Sequence, residues 1–268
     1  LIMNEKNFEY LRDQVKFTGF GEGLEGELKE KMQEQKPSFT IEHEAYYGED
    51  VARVSLNFKK SEQDDRYFFN SYHIGLLKEY AKEAVEQTFY IHKGNNITMK
   101  EAYNLMDGRA VNKDLITKEG QVYNAWIQMD FKNTDTNGNF KLNQFHQNYG
   151  YDLESALSKH AIKELENPKY KKELIYSLKK GNLQSVSFLK EGKEIKQFVA
   201  ANPQFKTVTL YDEDRKRIDM RQEITEKQGE EIAKVIKQDG KKKTADVDEE
   251  TAAGPQDKTR RKKQSNSM

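Results

Sequence analysis

YNAWIQMDFKNTDTNGNFKLNQFH, Tyr123 to His146, reads as a β-hairpin. Apolar and polar residues alternate along both arms, as half-buried strands require. Asn137-Gly138 between them signals a type I′ turn, which needs positive φ at both central residues. Moved back by 73 residues, the stretch lies without a gap on VARVSLNFKKSEQDDRYFFNSYH, Val51 to His73. Ala52, Phe58, Lys59, Asn70 and His73 meet Ala125, Phe131, Lys132, Asn143 and His146, and the alternation Ala52-Val54-Leu56-Phe58 matches Ala125-Ile127-Met129-Phe131. A third, weaker copy follows: Leu105 and Gly108 meet Leu178 and Gly181, and Lys118-Glu119-Gly120 returns as Lys190-Glu191-Gly192.

The expected architecture is therefore α+β, with three repeated α-β-β-β units carrying antiparallel sheets, an N-terminal helix and a disordered C-terminal tail. The divisions are 1–23 for the first helix and a Gly-rich connector, 24–92, 93–167 and 168–221 for the units, and 222–268 for the tail. Helices are expected at 4–14, 24–35, 75–87, 99–106, 152–165, 169–179 and 223–237, from apolar spacing of three and four. Thr98-Met-Lys-Glu101 has capping-box spacing and Gly108 suits a C-terminal cap. After Gly240 the chain has almost no bulky apolar residue, too few to offset its ordering entropy.

Forty-five basic and 45 acidic residues cancel, which argues against a protein-wide field for nucleic acid or anionic membrane. With no cysteine, disulfides, thiolate metal sites and thiol catalysis are excluded. No apolar run approaches the roughly 20 residues of a membrane span, and no signal peptide is evident, so a cytoplasmic setting is expected.

Candidate chemistry is sparse. His73 and His146 occupy matching repeat positions, but the asparagines three residues before them point to the opposite strand face, so neither pair forms one site. Asn133 to Phe140 imitates the start of a calcium loop, yet its first position is Asn and its twelfth is Gln144, leaving too few negative ligands. Carboxylate pairs such as Asp64-Asp65 sit in polar loops, and no nucleophile elbow or phosphate-cradling Gly loop occurs. No catalytic residue, metal or cofactor is expected, and the chain reads as a non-enzyme.

The outer strand face offers a different possibility. With Ala125, Ile127, Met129 and Phe131 inward, Trp126 points outward, and on the next strand Lys141 and Phe145 do the same. Trp126, Phe145 and Lys141 would form a cationic stacking platform of the sort single-stranded nucleic acid uses. Arg53, Phe68 and Tyr72 stand on the corresponding face of the first unit. The competing reading is that a helix or the next unit covers this face. In the tail, Lys258 and Arg260, Arg261, Lys262 and Lys263 form a basic run suited to non-specific phosphate contact, or simply to solvation.

The segments LMDGRAVNKDLITKEGQVYNAWIQMDF and ANPQFKTVTLYDEDRKR resemble an uncharacterised family encoded on conjugative and other mobile elements of Bacteroidota, found near or fused to topoisomerase- or primase-type proteins. The resemblance covers residue 3 to about residue 220. It implies a genomic setting, with no assigned activity and no catalytic residues. Together these readings give the expectation of a non-enzymatic binding or accessory protein whose partner is nucleic acid, single-stranded by preference, or a DNA-processing protein. A protein-interaction scaffold working through sheet edges and the tail is the alternative, and a hydrolase or nuclease the remote one.

Overall fold

The computed structural model describes residues 3–92, 94–190 and 192–218. The tail, with the helix expected at 223–237 and with Arg260, Arg261, Lys262 and Lys263, lies outside them. The chain is α+β: helices α1 (Glu5–Val15), α2 (Glu25–Gln33), α3 (Met99–Met106), α4 (Leu153–Leu157) and α5 (Pro168–Lys179) accompany ten strands in three antiparallel sheets. The first sheet is a four-strand meander of β1 (Ser38–Tyr47), β2 (Asp50–Lys60), β3 (Tyr67–Leu77) and β4 (Val85–Tyr90). The second is β5 (Ala110–Ile116), β6 (Val122–Thr134) and β7 (Phe140–His146). The third is β8 (Gln184–Lys190), β9 (Lys193–Asn202) and β10 (Thr207–Tyr211). Each sheet follows a helix, α2, α3 or α5, so the α-β-β-β order occurs three times, with one added strand in the first.

Local signals placed most elements. Asn4 caps α1 through its side chain, Thr98 and Glu101 form the reciprocal capping box of α3, and Pro168 starts α5 behind its Asn167 cap. Of the helices expected from apolar spacing, the one at 75–87 is absent and the one at 152–165 is cut short. Residues 75–77 instead continue β3, with Gly75 opposite Arg53 and Leu77 opposite Val51. Tyr72, Ile74 and Leu76 are fully buried on one face, while Tyr80, inside the expected helix, is 90% exposed. Pairing with β2 outweighed helical propensity there. The 152–165 helix stops after Leu157, because Ile162 leaves it to bridge Phe188, the Leu189 N–H donates to the Ala161 carbonyl, and Glu164 accepts the Ser187 N–H. The edge of β8 is captured in this way.

The hairpin loop is also not of type I′. Only Gly138 has positive φ, at 83°, and the Asp135 N–H donates to the Asn139 carbonyl while the Gly138 N–H donates back to Asp135. This is a three-residue loop closed by a glycine bulge. A separate three-residue bulge at 131–133 leaves Phe131 43% exposed instead of inward. In the first unit a one-residue bulge falls at Asn70 on β3. The repeats therefore align in sequence but not in register: His73 stands opposite Ser55, and His146 opposite Ala125.

The units are not separate modules. Val111, Leu115, Ala125, Ile127 and Met129 bury one face of the second sheet in a core shared with the first sheet and α1 to α3. Ala110 and Trp126 bury part of its other face in a second core with α4, α5 and the third sheet. The middle sheet is thus a shared wall. Gly181, just past α5, seals it. Its φ is +79°, and an added Cβ would lie 2.9 Å from Val111 Cγ2 and 3.0 Å from the Ala110 carbonyl. Gly181→Ala is expected to cost about 2–3 kcal/mol, from overpacking against backbone added to left-handed strain. A shift of the urea midpoint at unchanged slope would show it; a midpoint equal to that of the parent chain would mean that α5 does not seat there.

Candidate functional site

The residues of the expected platforms separate. Trp126 stands directly opposite Phe145 across β6 and β7, with Asp130 opposite Lys141, so the three side chains do share a face. That face is only partly open. Trp126 is 7% exposed and meets Tyr151 edge to face at 5.3 Å, Phe145 is half-buried, and Lys141 is exposed. The reading of Trp126 as an exposed stacking surface is corrected: the segment after β7 folds back over it. Tyr72 is corrected too. The bulge at Asn70 reverses the alternation of β3, so Tyr72 turns inward and donates to the Ile97 carbonyl at 2.7 Å, while Phe68 stays 45% exposed. Arg53 is exposed and paired with Glu44 at 3.1 Å.

The histidines and the loop resembling a calcium site are committed elsewhere. His73 Nδ1 lies 3.1 Å from Thr88 Oγ1, and His146 stacks on Tyr123. Burial lowers the pKa of His43 and, with the charge of Lys159, that of His160. Asp135 accepts the N–H groups of Asn137 and Asn139. Asn139 Oδ1 accepts the Thr88 N–H, and the Gln87 amide pairs with both backbone groups of Phe140. The loop thereby docks on the edge of β4 with the side-chain oxygens of Asp135 and Asn139 already used. Among the described residues no group of three or more His, Cys, Asp or Glu side chains could hold a metal.

The densest cluster of charge lies where all three units meet. Asp50 accepts from Lys78 at 2.7 Å, from the Tyr103 hydroxyl at 3.0 Å and from the Glu79 N–H at 3.0 Å. Burial opposes its ionisation, but these donors together hold its pKa below the ordinary value. Arg109, 6% exposed, donates through Nε to the Gly181 carbonyl, through one terminal nitrogen to Asn104 at 2.7 Å, and through the other to Asp107. Lys100 Nζ lies within 4.7 Å of the ring centres of Tyr47 and Tyr103, and burial lowers its pKa. Nearly every donor and acceptor in this cluster is taken by the protein, which marks it as a joint between units.

Two features near the second core are open to a partner. The first is the outward face of α5. Lys169, Lys172, Lys179 and Lys180 are exposed along it around Tyr176, which is 61% exposed, with Lys180 Nζ 4.4 Å from the Tyr176 ring centre. Glu173 is the one acid in the helix, and among the described residues only Lys171 has a carboxylate partner there, Glu154. The spacing 169, 172, 176, 180 puts these groups on one stripe about 18 Å long. This face was missed in the sequence because charge was weighed over the whole chain. Residues 168–211 alone hold nine lysines against three acidic residues, while 24–92 hold nine basic against 14 acidic.

The second feature is a cleft of about 520 Å³ between the middle sheet and helices α4 and α5, lined by Trp126, Phe145, Tyr151, Asn112, Asn124 and Lys179 among others. No described helix is long and apolar enough to cross a membrane. Comparison with family models, with curated proteins and with solved structures gives no match.

Proposed function

We propose that this chain is a non-enzymatic binding module that contacts nucleic acid through the outward face of α5, in the service of the mobile element its sequence resemblance implies. The lysine stripe of α5 carries the reading. Four cations with no carboxylate in salt-bridge contact among the described residues, three on α5 and one at its C-terminal cap, form a local field that a net charge of zero conceals. Tyr176 at its centre adds a ring on which a base or a sugar can rest. The helix is fixed from behind by Leu174 and Leu178, so the cations are presented without further ordering of the backbone.

The test is fluorescence anisotropy with short labelled single and double strands across a salt series. Phosphate contact by four lysines gives a log–log salt slope of about −3. Changing Lys169, Lys172, Lys179 and Lys180 together to Glu is expected to raise Kd about tenfold or more, since each exposed phosphate contact is lost and replaced by repulsion. Absence of binding at low salt would remove the reading. The alternative, a protein scaffold, rests on β1: this ten-residue edge strand pairs with β2 alone among the described strands, which leaves its other side for an added strand. Binding of a partner protein that survives the α5 substitutions would favour it.

A further inference from the structure

We propose that the cleft beside α5 receives one unpaired nucleobase of a strand whose phosphates cross the lysine face. The proposal rests on the α5 reading and adds what the site recognises. Lys179 belongs to both features, since it stands on the exposed helix face and lines the cleft. A strand held by α5 therefore passes the cleft entrance without leaving its phosphate contacts.

The lining suits an uncharged heteroaromatic ring. Trp126, its cross-strand partner Phe145, and Tyr151 supply three aromatic surfaces within one cleft. The Trp126 indole N–H makes no hydrogen bond to the described residues, and although the side chain is more than nine-tenths buried, this nitrogen is not among the sealed unpaired atoms, so it keeps contact with solvent at the wall of the cleft that the side chain lines. Such a donor in a concave wall is satisfied by water or by a ligand acceptor. Asn112 and Asn124 add side-chain amides, joined to each other at 2.7 Å and exposed enough to exchange that bond for a base edge. Asp152 and Glu154 also line the cleft. Their charges turn away a phosphate and favour a neutral ring carrying amino donors, so the base enters and the backbone stays outside on the lysines. A volume of about 520 Å³ leaves space for one base with its sugar and water.

Trp126 is the single tryptophan of the chain, so its emission reports on the cleft directly. The experiment follows intrinsic fluorescence and anisotropy together while the full chain is titrated at low salt with a short single strand of deoxycytidylate, whose base carries an amino donor, and, separately, with a blunt duplex of equal length. The expected result is quenching of Trp126 in step with anisotropy for the single strand, and a rise in anisotropy without quenching for the duplex. Phe145→Ala, at a half-buried position, is expected to weaken the single strand about fivefold or more and leave the duplex unchanged, in line with loss of one stacked base. If both strands bind and neither quenches, no base enters: the cleft proposal is overturned and the α5 reading stands. If neither strand binds, both are overturned.

Discussion

Arg109→Leu is expected to lower the unfolding free energy by about 3–5 kcal/mol, the cost of leaving buried partners of a removed charge unpaired. The guanidinium links the second and third units directly. It reaches Asn104 and Asp107 around the C-terminal end of α3 and the Gly181 carbonyl beyond α5, and it lies 5.3 Å from the Tyr103 ring centre. Its loss strips Asp107 of one of two cations and leaves the Gly181 carbonyl without a donor inside a sealed joint. Replacing Asp107 by Asn in the same chain should return part of the loss, because the stranded charge goes with it. Urea denaturation reads both effects. A cost under about 1 kcal/mol would show that water enters the joint and serves the orphaned groups. Because Gly181 lies at the third unit and Arg109 at the second, the variant should also separate the unfolding of the two cores, seen as a broadened transition with a reduced slope.

How far the sequence revealed the molecule depends on how local each signal is. The capping box of Thr98 and Glu101 and the strand that begins two residues after Gly108 were readable because neighbours within four residues determine them. The hairpin was readable because its alternation persists on both arms. The errors arose where distant partners decide. Leu76 and Leu77 suit a helix face until β2 is present to pair with them. The bulge at Asn70, which turns Tyr72 inward, has no signature in the sequence, since the residue types on either side suit both faces. The outward direction of Trp126 was correctly read from parity, but what covers it, Tyr151 and α4, stands some 25 residues further on. The lysine face of α5 was legible in principle: its spacing and the local excess of nine lysines over three acids are both in the sequence. A chain whose units carry opposite charge hides that excess in its sum.

Trp126→Ala is expected to cost about 3–5 kcal/mol, the range for removing a large aromatic side chain from a packed core. This follows from its place rather than from its chemistry. Trp126 is the largest group that the middle sheet gives to the second core, where Leu153, Leu157, Leu174 and Leu178 pack with it. The alanine variant would leave a cavity in the shared wall and loosen α5, so any loss of binding in it confounds the lysine face with the cleft. Trp126→Phe retains most of the volume and should cost less than half as much, while removing the indole N–H. The two variants therefore divide two roles. If packing is the whole contribution of Trp126, the phenylalanine chain binds single strands as the parent does. If the N–H meets a base, that chain keeps most of its stability and loses about fivefold in affinity for single strands alone, close to the worth of one hydrogen bond left unmade. Thermal unfolding measured beside anisotropy on the same samples separates the two, and a phenylalanine variant with unchanged affinity would remove the indole N–H from base recognition and leave Trp126 its packing and its ring surface.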